Sequence, residues 1–136
     1  MSNRLLYRGK RGDASRRLPT RAKKPALSET VIQQTVMKHL ATYGRKDAVY
    51  WAVPNGGKRN VIEAKRMKGE GVKAGIPDVH ILFQSKLYCL EIKTEKGRLS
   101  PAQKAVGEQM RAAGAEVAAA KGLDACLAQL KSWTIL

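Results

Sequence analysis

Acids are scarce in this chain: 11 Asp+Glu stand against 26 Lys+Arg over 136 residues, a formal charge of +15. An imbalance of that size on so small a body favours a polyanionic partner, nucleic acid first and an acidic membrane surface second. Cysteine is almost missing too. Cys89 and Cys126 sit 37 positions apart inside apolar runs, which is neither a disulfide framework nor a zinc pattern and suits a reducing cytosol. No uncharged apolar run approaches the roughly 20 residues of a bilayer crossing. The basic N-terminus has no apolar segment behind it, so no secretory signal is expected. The 43% of apolar residues that are present can bury one compact core. These features describe a small cytoplasmic globular protein suited to phosphate surfaces, with no membrane partner.

The positive charge falls in two blocks. Residues 1–27 carry nine Lys/Arg and a single acid, Asp13, with Gly9, Gly12, Pro19 and Pro25 breaking any apolar period. This stretch reads as a flexible basic arm, and residues 28–136 as the folded domain. The second block places Lys58, Arg59, Lys65, Arg66, Lys68 and Lys73 among five glycines at positions 56, 57, 69, 71 and 75. Either block alone reads as a solubilising surface. Together, flanking one small domain, they point to a backbone-gripping role, with Asn55 in the adjoining loop.

Ser28 is a suitable N-cap and Gly44 a suitable terminator for a first helix, in which Ile32, Val36, Leu40 and Tyr43 form one buried stripe. Glu29 falls on the same side. An acid in a first turn can simply favour the helix dipole, whereas a carboxylate facing the core needs a partner. Residues 48–53 form a short strand ending in Pro54-Asn55-Gly56-Gly57, and one or two helical turns are expected around 61–67. The runs 76–83 and 87–93 are strands close enough for a hairpin. Ser100-Pro101-Ala102-Gln103 is a capping box with proline at the first helical position, and Ala102, Val106, Met110 and Ala113 give that helix its buried side. A weak strand over 116–120 and a helix carrying Leu123, Leu127 and Leu130 complete the chain. The pattern is α/β: a mixed four-stranded central sheet flanked by helices, in the order α-β-β-β-α-β-α.

Period-2 alternation sends Tyr88, Leu90 and Ile92 to one face of their strand, and Cys89, Glu91 and Lys93 to the other. If Ser85-Lys86 is a two-residue turn, His80 pairs with Glu91 and Asp78 with Lys93, placing all four on one face. Two adjacent carboxylates repel unless a cation neutralises them. Oxygen ligands on rigid strands suit Mg²⁺ or Mn²⁺, with water completing the shell. Such an ion polarises a phosphoryl oxygen and activates water, and a neighbouring lysine can orient that water or stabilise developing charge. The set fits metal-assisted phosphodiester hydrolysis. An E-x-K run also arises by chance as a surface ion pair on many strands. His80 reads as a satisfied structural imidazole, and Tyr50 and Trp51 as core or loop anchors.

The run Gly71-Val72-Lys73-Ala74-Gly75-Ile76-Pro77-Asp78, followed by Leu90-Glu91-Ile92-Lys93 and Leu99-Ser100-Pro101-Ala102-Gln103, resembles the VRR-NUC family of PD-(D/E)XK nucleases. Ser28-Glu29 and Pro54-Asn55-Gly56-Gly57 match its earlier blocks, so the resemblance spans about residues 28–120. It implies a restriction-endonuclease-like core and a Mg²⁺- or Mn²⁺-dependent endonuclease acting on DNA. Asp78, Glu91 and the Ile92 carbonyl would bind metal, Lys93 would be the catalytic lysine, and Glu29 would act at or beside the metal. Gln103 would lie near the scissile strand, although its capping role already accounts for it. Stand-alone members of the family, bacterial or phage-encoded, imply a homodimer cutting branched DNA such as four-way junctions or flaps. The rival readings are a non-catalytic basic nucleic-acid binder, in which the three charges merely pair, and a basic protein that recruits another factor.

Overall fold

The computed structural model describes residues 22–54 and 60–136. Most of the expected arm, and Asn55, Lys58 and Arg59 among the expected DNA contacts, lie outside the described residues. Residues 22–28 are exposed and carry no regular structure.

Helix α1 (Glu29–Tyr43) starts where the Ser28 hydroxyl accepts the Val31 N–H. Its buried stripe is Ile32, Val36 and Leu40. Tyr43, expected to extend that stripe, is 70% exposed. The core runs out at Leu40, and the Tyr43 ring lies instead along its own helix against His39. The remaining elements are β1 (Val49–Ala52), α2 (Val61–Gly69), β2 (Val79–Phe83), β3 (Lys86–Lys93), α3 (Pro101–Ala112), β4 (Glu116–Lys121) and α4 (Leu123–Ser132). Helix α2 starts where expected, capped by the Asn60 side chain through the Glu63 N–H, and runs two residues further than the sequence suggested. Otherwise the expected order holds.

The strands lie in the order β1-β2-β3-β4, with β1–β2 and β2–β3 antiparallel and β3–β4 parallel. One face, carrying Val79, Ile81, Leu90, Ile92 and Ala120, packs against α1 and α4 to form the main core. Helix α3 lies on the other face beside β4. Only its middle is buried, at Val106 and Gly107, so Ala102 and Ala113 are exposed rather than on a buried side.

The β2–β3 hairpin is offset by two residues in its pairing from the register the sequence suggested. Gln84 (φ 49) and Ser85 (φ 60) are the two left-handed turn residues, closing on the Phe83↔Lys86 pair. Two successive positive φ values give the turn the twist that suits a tight hairpin. His80 therefore faces Cys89 rather than Glu91. One step beyond the Val79↔Leu90 pair, Asp78 comes opposite Glu91 instead of Lys93. A shift by an even number preserves the face of every side chain, so the carboxylates still stand together.

Candidate active site

Asp78 is delivered by the segment between α2 and β2. Gly75 (φ +83) lies so close to α3 that a Cβ there would sit 2.6 Å from the Ala102 carbonyl carbon and 2.9 Å from the Gln103 nitrogen. Only glycine meets both the conformation and the contact. Docked in this way, the loop enters β2 at Pro77-Asp78, where the Asp78 carbonyl accepts the Val53 N–H at 2.8 Å. The Asp78 side chain reaches across to β3, and its Oδ2 accepts the Ile92 N–H, also at 2.8 Å. Asp78 is thus tied to both neighbouring strands.

Glu91 sits near the end of β3 and is 4% exposed. Its Oε1 accepts a hydrogen bond from Gln103 Nε2 at 2.8 Å. The Gln103 Oε1 accepts the Ser100 N–H at 2.8 Å, completing the capping box of α3. One amide therefore fixes the helix start and aims a donor at the buried carboxylate, a second bond that the capping motif alone does not reveal. Glu91 Oε2 is buried with no hydrogen-bond partner. Burial, reinforced by the Asp78 carboxylate, pushes the Glu91 carboxyl up to about 7, while Lys93 pulls it down.

Lys93 ends β3 with its side chain 12% exposed. Its Nζ lies 3.5 Å from Glu91 Oε1 and 3.8 Å from Glu29 Oε1. Both contacts are long, leaving the amine poised between two acids rather than locked to either. The turn after β3 shields its stem: a Cβ on Gly97 would stand 3.2 Å from Lys93 Cβ. Glu29, with its side chain 49% exposed, reaches this cluster from the first turn of α1. The five residues Glu29, Asp78, Glu91, Lys93 and Gln103 thus meet at one end of the sheet, from α1, the β2–β3 hairpin and α3.

Several other residues lie apart from this cluster. His80 is buried, with a hydrogen bond to the Pro77 carbonyl, yet its Nε2 has no partner. Burial lowers its pKa, and the Trp51 ring packs edge-on at 5.7 Å. Tyr50 packs against the main core, as an anchor should, whereas Trp51 stays 40% exposed. Lys65, Arg66 and Lys68 lie on α2, and Lys73 follows it; all four are exposed. Arg66 is paired with Glu70 at 2.9 Å. Cys89 and Cys126 are free and buried; burial pushes both thiols up to about 11, and at Cys126 the nearby Asp78 charge adds to the rise.

A divalent cation fits the donor set at the head of the hairpin. Among the described residues no three His, Cys, Asp or Glu side chains converge as a complete cage. Mg²⁺ does not need one, since it keeps several waters and takes one or two carboxylates. The buried, unpartnered Glu91 Oε2 beside the Asp78 carboxylate is the electronegative pair such an ion requires, and without a cation it is costly.

The comparisons with known proteins bear on the fold and the family. The VRR-NUC domain family model matches residues 17–124. A solved VRR_NUC domain protein superposes with a TM-score of 0.64 at 25% identity, covering 80% of this chain and 89% of its own. A second solved VRR_NUC domain, at 15% identity, shares the fold with a TM-score of 0.52 over 78% of this chain and 97% of its own. No curated protein matches the chain. The domain is of the PD-(D/E)XK nuclease type, a class of hydrolases that generally uses divalent metals, and DNA is the implied substrate. Within that class, the chain belongs to the VRR-NUC domain family.

Proposed function

We propose that this protein is a Mg²⁺- or Mn²⁺-dependent endonuclease in which Asp78, Glu91 and the Ile92 carbonyl hold the ion, with Glu29 at or beside it. The observation that carries the reading is the buried Glu91, with one oxygen fixed by Gln103, the other buried without a hydrogen-bond partner, and the Asp78 carboxylate close enough to raise its pKa. When bound, the ion supplies charge stabilisation at phosphorus and an acidified water. Lys93, held loosely between Glu91 and Glu29, orients the attacking water and offsets charge on the phosphorane. Gln103 keeps the Glu91 carboxylate in one orientation and faces the strand being cut. Lys65, Arg66, Lys68 and Lys73, with Asn55, Lys58 and Arg59, grip the flanking phosphates.

The substrate we favour is branched DNA, four-way junctions in particular, cut by a homodimer. Two-fold related sites suit paired incisions. In support of a dimer, Val49, Trp51 and Leu82 share the sheet face that carries α3 but lie outside its cover, exposed by 60%, 40% and 46%, beside the edge strand β1. The two buried free thiols suit a reducing cytoplasm.

One gel tests the activity: linear duplex, flap and four-way junction, each with Mg²⁺, Mn²⁺ or chelator, against wild type, Asp78→Asn and Lys93→Ala. Cleavage should require the metal, and both variants should bind DNA without cutting it. Cutting that persists in chelator, or survives both substitutions, contradicts the assignment. A non-catalytic binder would show no metal-dependent product at all.

A further inference from the structure

A cleft of about 1050 Å³ opens between α2, the loop that follows it and the start of α3. It adjoins the catalytic cluster, because Gln103 lines the cleft while donating to Glu91. The floor is mainly apolar, with Val53, Met67, Val72 and Ile76 among its side chains, and Lys68 and Lys73 also line it. Helix α2 buries no residue of its own, so this wall is not spent on the core.

We infer that the cleft is a binding site for an unpaired strand of the nucleic-acid substrate, its bases against the apolar floor and its phosphates at Lys68 and Lys73. The inference rests on the nuclease reading for the identity of the ligand and extends it to the form of the strand. An intact duplex offers phosphates and base edges; its base faces are already stacked and gain nothing from an apolar floor. An unpaired strand exposes those faces, and their apolar contact with aliphatic side chains tolerates any sequence because every base has an apolar face. The charge is complementary, and the shared Gln103 makes the cleft continuous with the site of cutting. A strand lying there would lead from the unpaired side of a branch directly to Asp78 and Glu91. Selectivity for branches that carry an unpaired strand, such as flaps, then arises in each protomer, whereas the fully paired four-way junction draws on the dimer.

The test measures binding in chelator, where no cleavage takes place, using full-length protein and fluorescein-labelled oligothymidylate or blunt duplex of equal length. Ala64→Glu and Val72→Asp each set a carboxylate in the cleft, the first from an exposed helical position and the second from a half-exposed loop position. Each should weaken oligothymidylate binding at least about tenfold, the scale of losing one buried apolar contact, and weaken duplex binding less. Unchanged oligothymidylate affinity in both variants, or an equal weakening of duplex binding, overturns the inference. Because this readout needs neither metal nor turnover, it separates from the gel above. A protein that binds in this way but never cuts would refute the nuclease reading and leave the cleft standing.

Discussion

Glu91 is the residue on which chemistry and stability meet. Its carboxyl, ordinarily near 4.5, is raised to about 7 by burial and by Asp78. Between those values the folded protein keeps a proton that the unfolded chain has released. The group's contribution to stability therefore falls as pH rises from 4.5 to about 7 and is flat above that. In metal-free protein, the unfolding free energy of wild type relative to Glu91→Gln should drop across this window, on the order of 3 kcal/mol. Parallel urea-unfolding curves at every pH would contradict it. Strand alternation together with an assumed hairpin register made Asp78, Glu91 and Lys93 legible as one face. The bond from Gln103 to Glu91 was not, because a capping box already explains a glutamine at that position and the packing of α3 on the sheet is a tertiary fact.

At the scale of elements, the hairpin shows both how far the sequence reaches and where it stops. Hydrophobic alternation specified the faces correctly, since an even register shift cannot change them. The turn itself was misplaced, because Gln84-Ser85 carries none of the Asn or Gly that marks left-handed turns. Holding a non-glycine residue in that region costs roughly 1–2 kcal/mol. Ser85→Gly should consequently stabilise the protein by about 1 kcal/mol and raise its melting temperature by a few degrees. No change or a decrease would argue against the turn. Ser100→Ala removes the other half of the α3 capping box. It should cost about 1 kcal/mol of stability and also lower cleavage, since the helix start that aims Gln103 at Glu91 is loosened. A drop in stability with cleavage intact would separate the cap from the site. Exposure at Tyr43, Ala102 and Ala113 was illegible for a related reason: helical periodicity gives a direction but not where the opposing layer ends.

The whole molecule is defined by a charge of +15 whose largest block, nine Lys/Arg, lies in residues 1–27. If that segment grips phosphate, its deletion should weaken DNA binding. The plot of log affinity against log salt should also flatten, by about 0.9 for every duplex phosphate the segment neutralises. An unaltered slope would mean that it does not touch DNA. The folded remainder pairs one well-covered sheet face with a second that α3 covers only in part, and Asp78, Glu91 and Lys93 stand on that second face beside the start of α3. Isothermal titration of Mn²⁺ into metal-free protein tests the central claim most directly, with wild type, Asp78→Asn and Lys93→Ala compared at one pH. Saturable binding to wild type, weakened by at least about tenfold in Asp78→Asn and retained in Lys93→Ala, is the expected result. Matching isotherms for wild type and Asp78→Asn, or no binding to either, would contradict it.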